Sequence, residues 1–205
     1  MKNVLIISPH ADDAEIGCGG VISRLIRSGG HVAVAVFCVD PIVVPDGLER
    51  GDWVKEQARA AEFLGFDLIV FDYEMRRLSD RRQDVLEQLV DLRETLNPDC
   101  VFIPSTFDIH QDHKCISAEG VRAFKDRNLL GYELFWNHIG LHQTQTYFKL
   151  SPKDIAKKIK AISFFKTQTW RPFCDPTITA GHARCRGVQI NTQYAEAFET
   201  IRWVI

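Results

Sequence analysis

The feature that most constrains the fold is a series of short apolar runs that alternate with helical segments. Residues 31–39 (HVAVAVFCV) are apolar at nearly every position, and residues 4–7 and 100–103 form similar runs. A strand that is apolar on both faces is buried on both faces, which is typical of a parallel sheet covered by helices. The alternation of strand and helix through residue 125 therefore predicts a doubly wound α/β domain with a mostly parallel sheet and helices on both faces.

We predict strands at residues 3–7, 31–39, 68–71 and 100–103, and helices at residues 12–27, 49–64, 80–96 and 114–125. After residue 125 the pattern loosens, and we predict strands at 132–136 and 145–149, a helix at 153–165 and a short helix at 194–201. Gly17, Gly19 and Gly20 lie inside the first predicted helix. Because glycine weakens an isolated helix, we expect these residues to let the helix pack closely on the sheet.

Composition narrows the class of protein. A chain of 205 residues is most simply one domain, which we place at residues 1–205. The formal net charge of −2 gives no reason to expect a nucleic-acid partner, and no apolar run approaches the roughly 20 residues that span a bilayer. The six cysteines show no CxxC spacing, which favours free thiols in a reducing compartment. We therefore expect a soluble, cytoplasmic protein without a signal peptide or a membrane partner.

Two polar clusters each follow an apolar run. His10, Asp12 and Asp13 come directly after the first run, and His110 and His113 follow a later one. In an open α/β sheet, ligands bind beyond the carboxyl ends of the strands, so we expect both clusters at the same edge. Taken alone, the aspartates could cap the first helix and the histidines could be polar loop residues. The joint occurrence of complementary ligand types predicts one shared metal site.

The ligand types indicate which metal such a site would bind. Imidazole nitrogen and carboxylate oxygen suit Zn²⁺, and a catalytic zinc keeps three protein ligands and an open position for water. His10 and Asp13 can converge on one ion, and either His113 or His110 would complete the set. Asp12 is then left as a general base, and the remaining histidine can donate to a developing oxyanion. The same ligand types also suit another divalent metal such as non-haem Fe²⁺.

These residues also carry a resemblance to a known family. Residues 9–20 (PHADDAEIGCGG) resemble the amino-terminal signature of the LmbE-like, or PIG-L, family of zinc-dependent N-deacetylases, with Ala11 where proline is frequent. Residues 108–113 (DIHQDH) resemble its second signature, with Gln111 where proline is frequent. Weaker likeness continues through most of the chain.

The resemblance implies a Rossmann-like fold and hydrolysis of an N-acetyl group, commonly on a glucosamine-type sugar, to give a free amine and acetate. By position, His10, Asp13 and His113 match the family's metal ligands. Asp12 matches its general base, and His110 matches the histidine that faces the oxyanion in its protonated form.

Several other residues are candidates for substrate contact or support. Arg50 follows a proline-containing loop, where it could bind a substrate group or lie at the surface. Asp112 could contact substrate, orient a neighbouring imidazole or cap the next helix. A late segment with His182, Arg184 and Arg186 could return to the pocket.

The leading hypothesis is a metal-dependent N-deacetylase that acts on an N-acetylated small molecule, either an N-acetylglucosamine-type sugar or its conjugate. One alternative is an amidase that cleaves a larger amide of a thiol-sugar conjugate. Another is a non-catalytic Rossmann-like binding module, which the presence of Asp12 and of every candidate ligand disfavours. A homo-oligomer is among the expected partners of the chain.

Overall fold

The computed structural model describes residues 1–39, 45–49, 51–138 and 143–205. In this part of the chain the strands are β1 (Asn3–His10), β2 (His31–Cys38), β3 (Asp67–Val70), β4 (Cys100–Pro104), β5 (Asn128–Tyr132), β6 (Thr146–Leu150) and β7 (Tyr194–Arg202). The α-helices are α1 (Asp13–Arg27), α2 (Asp52–Leu64), α3 (Arg82–Leu96), α4 (Gln111–Ala123), α5 (Pro152–Ile162) and α6 (Pro176–Gln189).

The strands form one sheet in the order β3-β2-β1-β4-β5-β7-β6. Strands β1 to β5 pair in parallel, whereas β7 pairs antiparallel with both β5 and β6. The predicted doubly wound, mostly parallel sheet is therefore confirmed. The chain first builds outward from β1 to β3 and then returns to place β4 on the other side of β1. In such sheets this reversal point is where ligands bind.

Alternating residues of the central strands fill two separate cores. On β1, Val4 and Ile6 belong to the core on one face of the sheet, whereas Leu5 and Ile7 belong to the core on the other. Successive side chains of a strand point to opposite faces, so a strand buried on both sides must be apolar throughout. This requirement explains the continuous apolar runs of the sequence.

The glycines of α1 allow the close packing that their positions predict. A Cβ atom at Gly17 would lie 2.5 Å from Cδ2 of Tyr132, and one at Gly20 would lie 2.4 Å from Cδ1 of Leu150. The Gly20 amide also donates to Glu196 Oε1 of β7 over 2.9 Å. Helix α1 thus contacts the antiparallel end of the sheet at distances that a larger residue would not permit.

The structure differs from the sequence-based elements mainly after residue 125. The predicted short helix at 194–201 is wrong, because this segment is strand β7. The predicted strand at 132–136 is displaced, since β5 ends at Tyr132 and residues 135–137 form a 3-10 turn. Helix α6 lies in a segment where no helix was predicted.

Two expectations from composition concern the cysteines and membrane spans. All six cysteines are free thiols, and Cys185 is the exposed one. Among the described residues, no helix has both the length and the apolar character needed to cross a membrane.

Candidate active site

The two polar clusters meet at the reversal point of the sheet. Strands β1 and β4 are parallel neighbours, with Val4 opposite Cys100. His10 ends β1, and Asp13 begins α1 after a two-residue turn. His113 lies in the first turn of α4, a short loop beyond the end of β4. The fold therefore brings together ligand types that are about a hundred positions apart in the chain.

Three side-chain atoms converge at this point. Nδ1 of His10 lies 3.1 Å from Oδ2 of Asp13, and Nε2 of His113 lies 3.2 Å from the same oxygen. The two imidazole nitrogens are 3.1 Å apart. The three atoms form a nearly equilateral triangle, and all three residues are buried. Nitrogen and oxygen donors at such distances from one another suit a small metal ion.

The donor set fits a divalent metal in size and in charge. Ligand atoms bound tetrahedrally at about 2.0–2.1 Å from zinc are about 3.3 Å apart, close to the observed edges. Burial disfavours a charged imidazole, but the negative charges of Asp13 and Asp108 outweigh it and raise the pKa of His113 to about 10. The surrounding carboxylates therefore favour positive charge at this position, as cation binding requires.

Two further carboxylates hold the histidine rings in place. Nε2 of His10 lies 2.9 Å from Asp112 Oδ2, and Nδ1 of His113 lies 2.8 Å from Asp108 Oδ2. A carboxylate on the outer nitrogen fixes the tautomer and orientation of a metal-binding imidazole. Asp112 is fully buried and is not the cap of α4, because the N-cap is His110. Of the three roles considered for Asp112, its contacts support orientation of an imidazole.

His110 lies beside the triangle but makes a different contact. Its Nδ1 accepts the backbone N–H of Asp112 over 3.2 Å, so the proton of the neutral ring is on Nε2. Burial and the positive charges of His113 and His10 lower the pKa of His110 to about 4. The lowered pKa favours the neutral ring, whereas the family resemblance implies a protonated one. A neutral imidazole still offers the Nε2–H donor.

Asp12 lies at the cavity wall in an unusual backbone conformation. Its φ of 86° is left-handed, which is uncommon for any residue other than glycine. Its backbone N–H donates to Oε1 of Gln57 over 3.2 Å, and Nε2 of Gln57 donates to Oε1 of Glu15 over 2.8 Å. Burial and the negative charges of Asp13 and Glu15 raise the pKa of Asp12 well above its usual value. A buried hydrogen-bond chain thus anchors the backbone of Asp12 at the cavity wall.

A cavity of about 270 Å³ opens over these residues. The walls combine aromatic, apolar and hydrogen-bond-donor side chains, namely Trp53, Met75, Arg76, Trp136, Asn137, Gln168, Arg171 and Phe173. The rings of Trp136 and Phe173 stack in parallel with centroids 4.0 Å apart. Sequence reasoning missed most of these residues because they come from four separate segments.

Other predicted residues lie elsewhere. Arg50 is outside the described residues. His182 and Arg186 contact Glu133 away from the cavity wall, and Arg184 donates to the backbone carbonyls of Thr192 and Gln193. The late segment that does return to the cavity is 168–173, which precedes the one proposed from the sequence.

Comparisons with known sequences find a family match that covers both polar clusters. The profile of the family described as "PIG-L: GlcNAc-PI de-N-acetylase" matches residues 5–124, a range that includes both polar clusters. The diacetylchitobiose deacetylase of Thermococcus kodakarensis is 30% identical over 132 residues, which are 60% of this chain and 49% of that protein. The match thus spans about half the length of this relative.

Solved structures confirm the fold. The conserved protein TT1542 from Thermus thermophilus superposes with a TM-score of 0.85 at 24% identity, over 100% of this chain and 97% of that one. The 4-carboxy-2-hydroxymuconate hydratase GalB from Pseudomonas putida superposes with a TM-score of 0.80 at 21% identity, over 100% of this chain and 98% of that one. Because one of these neighbours is a hydratase, the fold alone does not define the reaction.

Proposed function

The chain belongs to the PIG-L family, and we propose that it is a metal-dependent hydrolase that removes the acetyl group from an N-acetylated sugar. We also propose that residues 1–205 form one such domain. The observation that carries the proposal is the arrangement of two carboxylates at one cavity. Asp13 converges with His10 and His113, whereas Asp12 lies next to them without joining them.

His10, Asp13 and His113 would hold the metal, for which Zn²⁺ is the first candidate and Fe²⁺ the second. A divalent cation there would lower the pKa of a water molecule, polarise the acyl carbonyl and offset the negative charge around Asp12. Asp108 and Asp112 support the assignment because each holds the outer nitrogen of one of these histidines.

Asp12 is the proposed general base. Asp12 lines the cavity together with the three proposed ligands, and the hydrogen bond from its backbone to Gln57 anchors it there. From this position it can accept a proton from the attacking water and later donate that proton to the departing nitrogen. Two neighbouring carboxylates thereby take two different roles, one as ligand and one as base.

His110 is the proposed oxyanion donor. Because its Nδ1 accepts the Asp112 amide, Nε2–H is free to donate to the oxygen of the acyl group as that oxygen gains negative charge. Removal of one such donor typically lowers kcat by about 10²–10³. Nε2–H is a donor in the neutral ring and in the protonated ring, so His110 can fill this role in either state.

An N-acetylated sugar is the substrate that the cavity and the relatives favour together. The stacked rings of Trp136 and Phe173 form a flat apolar wall, against which the C–H face of a sugar ring can pack. The family description names an N-acetylglucosamine conjugate, and the Thermococcus relative is named for diacetylchitobiose.

The test is acetate release from a panel of N-acetyl sugars by protein loaded with Zn²⁺ or Fe²⁺. We expect stoichiometric acetate and free amine from at least one N-acetylglucosamine derivative, and no release after the metal is removed by a chelator. Release of a bulkier acid would support the larger-amide alternative instead. Absence of any hydrolysis by metal-loaded protein across the panel would contradict the proposal.

A further inference from the structure

A buried carboxylate of α2, Glu56, has no part in the proposed chemistry. Its exposed fraction is 4%, and it is not among the residues that line the cavity. The backbone N–H of Thr167 donates to Oε1 of Glu56 over 3.1 Å, and the hydroxyl of Thr167 donates to Oε2 over 2.6 Å. Hydrogen bonds to a carboxylate are stronger than those between neutral groups, and a buried carboxylate that loses them is costly. Glu56 therefore ties Thr167 firmly to helix α2.

Thr167 begins the segment that forms one side of the cavity. Residues 167–173 lie between α5 and α6, and Gln168, Arg171 and Phe173 of this segment line the cavity. Some hydrogen bonds of the segment are local, such as the one from the Arg171 N–H to the Gln168 carbonyl over 2.9 Å. Local bonds define the shape of an irregular segment, but its position in the molecule depends on contacts with other elements. The hydrogen bonds that Thr167 donates to α2 are contacts of this second kind.

One face of α2 contacts both sides of the candidate active site. Trp53, Glu56 and Gln57 are all buried, and spacings of three and four residues from Trp53 place them on the same face of the helix. Trp53 lines the cavity itself, and Gln57 accepts the backbone N–H of Asp12. Two adjacent residues thus serve different parts of the site. Gln57 holds the turn that carries the proposed base, whereas Glu56 holds the opposite wall.

We propose that Glu56 is a positioning residue that acts through Thr167, fixes the wall formed by residues 167–173 and thereby sets the affinity for substrate. The inference rests on the proposed function, for which it names a residue that determines binding. Loss of the Glu56 contact should raise KM, because the wall loses its position. The value of kcat should change little, because the residues proposed for hydrolysis belong to other segments.

Hydrogen–deuterium exchange tests the position of the wall without any need for turnover. In Glu56→Gln we expect the amides of residues 167–173 to exchange about ten times faster than in the wild type, and those of α1 to stay unchanged. Thr167→Val removes the hydroxyl donor and keeps the backbone N–H, so it should give a smaller change of the same kind. Thr167→Ser keeps both donors and should match the wild type. Wild-type exchange of this segment in both Glu56→Gln and Thr167→Val would overturn the proposal.

Acetate release from methyl N-acetylglucosaminide by metal-loaded protein tests the effect on affinity. We expect Glu56→Gln to raise KM about fivefold or more and to keep kcat within about twofold of the wild type. A fall in kcat at unchanged KM would overturn the proposal. If residues 167–173 exchange faster as expected, but the wild type hydrolyses neither this sugar nor any other N-acetyl sugar, the positioning role of Glu56 stands and the proposed hydrolysis fails.

Asp154→Asn is the matched control. Asp154 of α5 is also buried, and its Oδ2 accepts from both the backbone N–H and the hydroxyl of one residue, Ser151, over 2.9 Å and 2.6 Å. Neither Asp154 nor Ser151 lines the cavity. We expect this variant to exchange faster at the start of α5 and to keep the wild-type KM. An equal rise of KM in Asp154→Asn would show an effect of general stability and would overturn the specific role of Glu56.

Discussion

Asp12 combines a left-handed backbone with a buried carboxyl group. Asparagine tolerates this region of φ and ψ better than other non-glycine residues and has nearly the same shape as aspartate. Alanine would add backbone strain of about 1 kcal/mol or more at such a position. Asp12→Asn is therefore the substitution that removes the base and keeps the turn between β1 and α1.

We predict that Asp12→Asn lowers kcat by about a thousandfold, within the range typical for loss of a general base. The bound metal should stay at the wild-type level, because Asp12 is not one of the three converging residues. Steady-state kinetics and elemental analysis of the same preparation check both statements. Metal loss in proportion to the activity loss would show that Asp12 is a ligand and that the division of roles is wrong.

At the scale of single residues, the sequence was enough to predict those candidate site residues that lie close together in the chain. His10, Asp12 and Asp13 follow one strand within a few positions, and His110 and His113 follow another, so local spacing was enough to group them. The cavity wall could not be predicted this way. Trp53 faces the cavity because of the rotation of α2 on the sheet, and Arg171 because of the irregular path between α5 and α6. Neither has a signal in the local pattern.

At the scale of elements, Gln57 couples helix α2 to the active-site turn. Its carboxamide is fully buried and joins the backbone N–H of Asp12 to the side chain of Glu15. We predict that Gln57→Leu lowers kcat about tenfold or more with a smaller change in KM, because Asp12 loses the contact that holds its position. The free energy of unfolding should also fall by about 1–3 kcal/mol, since two buried polar groups lose their partner.

Ser23→Ala is the control for Gln57→Leu. Ser23 of α1 is buried, as Gln57 is, and its hydroxyl donates to Asp154 Oδ1 of α5 over 3.0 Å. Neither Ser23 nor Asp154 lines the cavity. We expect this variant to lose about 1 kcal/mol of stability and to keep the wild-type kcat. If both variants reduced kcat alike, the effect of Gln57 would be one of general stability and not of base positioning.

Strand β7 and helix α6 show why the apolar pattern of the sequence did not predict the elements near the end of the chain. The segment of β7 contains alanine and glutamate, which are good helix formers, but pairing with β5 and β6 makes it a strand. Helix α6 did have a start signal, because the Asp175 side chain accepts from the Thr177 amide and Pro176 occupies the first turn. Only three of its residues are buried, and none of them is a large apolar residue. The sequence therefore shows no apolar periodicity that would indicate a helix there.

At the scale of the whole molecule, stability should depend on Glu133. This buried carboxylate follows β5 and accepts from the Arg186 guanidinium of α6, with Nε at 3.0 Å. Burial alone would raise its pKa, but contact with His182 and Arg186 lowers the pKa to about 2 from its ordinary value of 4.5. A depressed pKa stabilises the fold above pH 4.5, and the contribution is lost as the pH falls towards 2.

We predict that Glu133→Gln lowers the free energy of unfolding by about 3 kcal/mol at pH 7 and by only about 1 kcal/mol at pH 3. Urea unfolding of both proteins at the two pH values measures the difference. Asp84→Asn is the control, because the Arg81–Asp84 pair is exposed and solvent-screened, so its loss should change the free energy of unfolding little at either pH. A Glu133→Gln deficit that did not shrink at pH 3 would point to lost packing and not to charge.

The overall architecture was predictable through residue 125, because apolar runs and helical segments alternate there without interruption. The antiparallel half was not, since its strand pairing depends on contacts between β5, β6 and β7 that are distant in the chain. The candidate metal ligands and Asp12 lie in the part of the chain before residue 125, whose architecture was predictable. Residues 136–173, which contribute to the cavity wall, lie outside that part.

The central claim is that two turns, at the ends of β1 and β4, form a single metal centre. Elemental analysis of protein dialysed against Zn²⁺ and then against metal-free buffer tests it most directly. We predict about one equivalent per chain in the wild type and in Asp12→Asn, but less than about a tenth in a folded His10→Ala/His113→Ala variant. A wild-type protein that kept no metal, or a double variant that kept a full equivalent, would contradict the claim.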